Sequence, residues 1–106
     1  MVWTVEIQEQ ALADLRRMDS GARRRILKYF QERLEGSENP RQFGKPLVGD
    51  RSGLWRYRIG DYRAICLLED QILTILVLAV GHRKNIYVSL LVRKRWIRLH
   101  TLRESA

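Results

Sequence analysis

Apolar and polar residues alternate from Val2 to Ile7 (VWTVEI), a period of two that predicts a β-strand. From Glu9 the period lengthens. Leu12, Leu15 and Met18 recur at helical spacing, which predicts a short helix over residues 9–18. Asp19-Ser20-Gly21 interrupts it, and either Asp19 or Ser20 suits the N-cap of a second helix. Ala22, Ile26, Tyr29, Phe30, Arg33 and Leu34 mark a core stripe on that helix, expected to run to about Glu35, with Gly36 past its end. Residues 36–53 hold both prolines and four of the seven glycines and read as a moderately basic loop, with Leu47 held against the core. Three strands follow, at about 54–59, 62–69 and 73–80. The last, LTILVLAV, is apolar at almost every position, which implies burial on both faces and a central place in the sheet.

The element order is therefore β-α-α-β-β-β. Short connections make the last three strands an antiparallel meander. The first strand completes the sheet beside the apolar last one. The expected class is α+β: a helix hairpin packed on one face of a four-stranded, mostly antiparallel sheet. After residue 88 the pattern changes again. Val88, Leu91, Val92, Trp96, Leu99 and Leu102 fit a helical stripe with basic residues between them. The chain thus divides into a domain of residues 1–88 and a basic extension, 89–106, read as a basic amphipathic helix or a flexible tail. Docking on the exposed sheet face, homodimerisation and contact with nucleic acid all fit such a segment.

Charge sharpens this picture. The formal net charge is +8 over 106 residues and the pI is about 10.4, which favours an anionic partner, nucleic acid ahead of a membrane surface. Half of the excess lies in residues 89–106, which carry five of the 20 Lys and Arg and one of the 12 Asp and Glu. No apolar run is long enough to span a bilayer and the N-terminus lacks a signal-peptide pattern, so no membrane partner is expected. A single cysteine, Cys66, cannot form an internal disulfide. A reducing cytoplasm is the expected compartment, and Cys66 reads as a small buried hydrophobe rather than a nucleophile.

The segment LWRYRIGDYRAI, residues 54–65, concentrates the candidate chemistry. Gly60-Asp61 suits a two-residue type II′ hairpin loop, which pairs Ile59 with Tyr62 and Arg58 with Arg63. Trp55, Tyr57 and Ile59 then face the helices, while Arg56 and Arg58 face the other way. Like charges directly opposite are destabilising, and an arginine cannot lose its proton to relieve them. Splaying into solvent, or pairing with Asp61 or Glu69, is the plain explanation for such a pair. The end of the last strand offers another. VGHRKNIY, residues 80–87, reaches the same sheet end and brings His82, Arg83, Lys84 and Tyr87. A two-residue loop at Asp70-Gln71 places His82 on the arginine face, a three-residue loop places Arg83 there, and Gly81 can break the alternation.

Guanidinium forks bind phosphate oxygens bidentately, so this constellation suits a phosphodiester. With only two histidines, no acidic cluster at the site and no Gly-rich phosphate loop, neither a metal nor another cofactor is expected. RNA supplies its own nucleophile, the 2′-hydroxyl. Arginines can stabilise the developing charge, and His82 or Tyr87 can move protons.

The element order together with LWRYRIGDYRAI and VGHRKNIY resembles the RelE/ParE toxin superfamily, the small toxins of bacterial and archaeal toxin–antitoxin pairs, over roughly residues 1–88. The RelE branch implies a ribosome-dependent endoribonuclease that cuts mRNA and is neutralised by a cognate antitoxin. The ParE branch implies poisoning of DNA gyrase. The ending Gly81-His82-Arg83 with Tyr87 looks more like RelE. Under this resemblance Arg63 and Arg83 match arginines that stabilise the scissile phosphate, and Tyr87 matches a terminal tyrosine of orientation or base catalysis; Arg58, which converges with them on the sheet, is a further catalytic candidate. Lys45, Arg56 and Lys84 are expected to bind RNA phosphates. Arg56 and Arg58 stand where RelE has lysines, and an arginine effectively cannot exchange protons. That leaves His82, then Tyr87, for acid–base work. A toxin that retains only antitoxin binding is the third alternative.

Overall fold

The computed structural model describes residues 1–47 and 53–87. The expected extension, residues 89–106, and its helical or dimerising role lie outside the described residues. Five strands form one sheet in the order β1-β5-β4-β3-β2. Strand β1 is Thr4–Ile7, β2 Lys45–Pro46, β3 Leu54–Ile59, β4 Tyr62–Glu69 and β5 Thr74–His82. Helices α1 (Glu9–Arg17) and α2 (Ser20–Tyr29) cover one face. The apolar strand β5 is interior, as expected, parallel to β1 and antiparallel to β4. The sheet has five strands rather than four because Lys45 and Pro46 pair with Arg56 and Trp55 along the outer edge of β3. A proline is tolerated there because an edge strand leaves one side without ladder donors.

The helices depart from the sequence reading in instructive ways. Asp19, not Ser20, caps α2, its Oδ1 accepting the Ala22 N–H at 2.7 Å. The helix does not run evenly to Glu35. Its last turn, Phe30–Leu34, widens to π-helical pairing, with the Glu35 N–H reaching the Phe30 carbonyl at 2.8 Å. The wider turn buries both Phe30 and Leu34 while Arg33 stays exposed, its guanidinium over the Phe43 ring. On α1 the inward stripe is Ala11, Asp14 and Leu15, and Leu12 faces outward.

Two apolar layers sandwich the sheet. Trp3, Leu15, Ile26, Phe30, Tyr57, Ile59, Cys66 and Val77 lie in the layer under the helices. Leu54, Ile65, Leu67, Leu76 and Leu78 lie in the layer behind, with Ile86 packed on them. Cys66 is fully buried, and burial pushes its thiol pKa up, so it is an inert core group. Tyr57 is also fully buried and donates its hydroxyl proton to the Pro40 carbonyl at 2.8 Å. At the sheet end remote from the β3–β4 turn, Arg41 lies against the rings of Trp3 and Trp55. It forks onto Asp70 with Nη1–Oδ1 of 2.9 Å and Nη2–Oδ2 of 2.8 Å. That fork ties the Pro40–Phe43 turn to the sheet and holds the Asp70 carboxyl below its usual range.

Candidate nucleic-acid interface

The hairpin forms in the expected register. Ile59 pairs with Tyr62 and Arg58 with Arg63 across Gly60-Asp61. Gly60 has φ of +60°, the left-handed value that the first loop position of a type II′ turn requires. Arg56 and Arg58 therefore share the face turned away from the helices with Arg63, their Cβ row continued by Lys45 beside Arg56.

Arg63 is the most constrained of these cations. Its Nη1 donates to the Gly60 carbonyl at 2.9 Å and to the Tyr62 carbonyl at 2.8 Å, folding the side chain back over the turn. Its pKa is held below the usual arginine range, by loss of solvation first and then by the Arg58 charge, with Arg56 and Arg83 adding to the effect. Arginine stays protonated regardless, so the repulsion is not relieved by loss of a proton.

The end of β5 settles which of His82 and Arg83 shares that face. Glu69 pairs with Thr74, so the connection is four residues, Asp70 to Leu73, closed by Leu73 at φ of +48°. An even loop alone would put His82 with the arginines. A β-bulge intervenes: Ile65 faces Ala79 but Cys66 faces Val77, so Leu78 is the extra residue. The bulge reverses the alternation. Gly81 pairs with Arg63, and His82 pairs with Tyr62 on the helix side of the sheet. The His82 ring meets the Tyr62 ring edge-on at 5.7 Å, and its Nδ1 accepts the Lys84 N–H at 3.2 Å. Of the placements left open for His82 and Arg83, the one that puts His82 among the arginines as a catalytic group is corrected by this register.

Arg83 follows in the turn. Its N–H donates to the Asp61 carbonyl at 2.8 Å, and its Nε lies 3.9 Å from the Asp61 carboxylate. Asp61 thus pairs loosely with Arg83, not with Arg58 or Arg63. Lys84 is exposed in the same turn. A final helical turn drops Ile86 into the rear apolar layer, and Tyr87 returns to the arginine face, its hydroxyl accepting from Arg56 Nη1 at 2.9 Å. The side chains brought together are thus Lys45, Arg56, Arg58, Arg63, Arg83 and Tyr87. His82 stands behind them.

Asp61, expected to answer Arg58 or Arg63, anchors Arg83 instead. One positioning residue escaped the sequence reading. Asp14 of α1 accepts the Val80 N–H at 3.0 Å from inside the core. Strand β1 ends at Ile7, opposite Val77, so beyond it β5 lacks a strand partner on that side. The Asp14 carboxylate takes the place of the missing strand one residue before Gly81. The available signal was an acid between Ala11 and Leu15 on the inward stripe of α1.

A helix hairpin on one face of a mixed sheet and a converging arginine face on the other agree with the architecture that the resemblance to the RelE/ParE superfamily implies. Comparison with known proteins supports that class independently. The model of the family described as ParE toxin of type II toxin-antitoxin system, parDE, matches residues 5–87. The chain belongs to this family, and so to the RelE/ParE superfamily of type II toxins. It is 34% identical over 89 residues to Toxin RelG of Mycobacterium tuberculosis, covering 82% of this chain and 98% of that protein. The toxin–antitoxin complex RelBE2 from M. tuberculosis contains a similar chain, with TM-score 0.70 and 26% identity, covering 77% of this chain and 99% of that one. The archaeal RelE–RelB complex from Pyrococcus horikoshii gives TM-score 0.62 and 31% identity, covering 78% and 97%.

Proposed function

We propose that this toxin is a ribosome-dependent endoribonuclease that cleaves mRNA, inhibits translation in the cytoplasm, and is held inactive by a cognate antitoxin. The observation that carries the reading is the forced pairing of Arg58 with Arg63 beside the Arg56–Tyr87 hydrogen bond on one open sheet face. Such a face is adverse when empty and favourable around a phosphodiester. Similarity to RelG and to RelE chains in complexes with RelB antitoxins supports the toxin and antitoxin parts.

The mechanism follows from the groups present. The RNA 2′-oxygen attacks the adjacent phosphorus, the bond to the 5′-oxygen breaks, and a 2′,3′-cyclic phosphate results. Arg58, Arg63 and Arg83 neutralise the charge that builds on the phosphoryl oxygens. Lys45, Arg56 and Lys84 hold flanking phosphates. Tyr87, whose oxygen already accepts from Arg56, donates its own proton to no other described residue and gives it to the leaving 5′-oxygen. The 2′-hydroxyl proton leaves to solvent, and His82 supports the turn rather than the reaction. The nucleophile comes with the substrate and the arginines balance the charge, so the step needs no metal. The extension 89–106 adds basic charge to domain 1–88 and is a candidate ribosome or dimer contact.

Cell-free translation tests this reading. Wild-type protein is expected to arrest synthesis, and Arg63→Ala and Arg83→Ala to relieve the arrest. Full inhibition by both variants refutes the assignment. The description of the matching family as ParE toxin favours a second reading, gyrase poisoning. Primer extension on cellular mRNA separates the two: breaks within codons support cleavage, whereas intact mRNA with a DNA-damage response supports gyrase. Antitoxin binding without growth arrest indicates a toxin that has lost its activity.

A further inference from the structure

The Gly60-Asp61 turn carries a cation that does not belong to the sheet. Arg25, on α2, lies against Gly60 so closely that a methyl group there would sit 2.8 Å from Arg25 Cζ and Nη2 and 2.9 Å from Nη1. Three nearly equal distances mean that the guanidinium presents its flat face to the turn. Its N–H edges then point sideways, along the hairpin tip. Gly60 thus meets two demands: it takes the left-handed φ of the turn, and its missing Cβ makes room for Arg25.

No ion pair within the described residues accounts for this placement. Arg25 is exposed, and no carboxylate among the described residues lies within 4.0 Å of a charged nitrogen of it. The nearby acid, Asp61, is already turned to Arg83. The turn that Arg25 covers joins Arg58 to Arg63, so a third guanidinium stands over the tip of an already repulsive pair. Stacking on a peptide immobilises the fork without consuming its donors, a geometry suited to a phosphate oxygen.

We infer that Arg25 is a second phosphate-binding position, so that single-stranded RNA held on the arginine face continues across the hairpin tip onto α2. This rests on the nucleic-acid reading of that face and extends it by one backbone contact. Arg25 takes a phosphate next to the one between Arg58 and Arg63; it binds and does not react.

The test is a salt titration of full-length protein with a single-stranded 2′-O-methyl oligoribonucleotide, which lacks the attacking hydroxyl. Each phosphate contact on a single strand contributes about 0.7 to the slope of log affinity against log salt. Arg25→Gln is expected to flatten that slope by about 0.7 and to weaken binding by about three- to tenfold at 0.1 M salt. Arg16→Gln, an equal charge loss on exposed α1, is expected to leave the slope unchanged. An unchanged slope for Arg25→Gln overturns the inference, as it would if the tip instead receives an acidic protein segment. Equal flattening by Arg16→Gln also overturns it, since only overall charge would then matter. Arg63→Ala reports separately on the sheet face. If it binds like wild type while Arg25→Gln does not, the α2 position stands and the sheet-face reading falls.

Discussion

Removing Arg58 should make this protein more stable and less active. Arg58 and Arg63 are register partners, and their Cβ atoms are roughly 5 Å apart, as in any such pair. With the guanidinium groups splayed to about 7 Å and an effective dielectric between about 40 and 80, Coulomb's law gives about 0.6–1.2 kcal/mol of repulsion. At 0.15 M salt the Debye length of about 8 Å cuts this to about 0.3–0.5 kcal/mol. Arg58 makes no hydrogen bond to another described residue, so Arg58→Gln gives up little else. The expected gain is about 0.5–1 kcal/mol at low salt, or a few degrees in Tm, shrinking as salt rises.

Arg63→Gln deletes the same repulsion but also breaks the donations to the Gly60 and Tyr62 carbonyls. At about 0.5–1.5 kcal/mol each, those outweigh the relief, so Arg63→Gln should destabilise. Both variants should lose mRNA cleavage by about 10²–10³-fold, the usual cost of removing one charge-stabilising donor. Thermal unfolding at two salt concentrations, alongside cleavage on translating ribosomes, reads all of this. A less stable Arg58→Gln, or a gain that salt does not diminish, refutes the reasoning.

Other expectations follow from the same geometry. Tyr87→Phe should reduce ribosome-dependent cleavage by about 10²–10⁴-fold, the range for a lost proton donor, while His82→Gln stays within about threefold of wild type in the same assay. Asp14→Ala strands the Val80 N–H in the core and should destabilise by about 1–3 kcal/mol in denaturant unfolding, with Asp14→Asn, which keeps an acceptor, costing less. The Asp70 carboxyl is held low by Arg41, so its contribution is complete above the ordinary carboxylate pKa and is lost as pH falls through the lowered folded value. Because the pair is largely exposed, Asp70→Asn should cost about 1 kcal/mol or less at neutral pH and converge with wild type in acid.

Much of this architecture was legible in residue patterns because each pattern had one physical solution. Gly60-Asp61 between alternating runs admits a tight hairpin, and that hairpin forces Arg58 onto Arg63. LTILVLAV has no polar face, so its strand had to be interior. The same uniformity hid the bulge: a run apolar at almost every position shows no break when Leu78 is inserted, yet that residue moves His82 to the far face and gives the arginine face to Gly81. Strand β2 is two residues long, too short for any periodicity. Contacts between remote elements left little trace. Asp14 reaching Val80, Arg41 between two tryptophans, and Arg25 over Gly60 each depend on how the helices and loops settle on the sheet.

The chemistry of the cut end tests the central claim most directly. Messenger RNA recovered from ribosomes exposed to the wild-type protein should end in a 2′,3′-cyclic phosphate upstream of each break and a free 5′-hydroxyl downstream, and RNA exposed to Tyr87→Phe should be essentially uncut. Breaks carrying a 3′-hydroxyl and a 5′-phosphate, or intact mRNA alongside arrested growth, would contradict it.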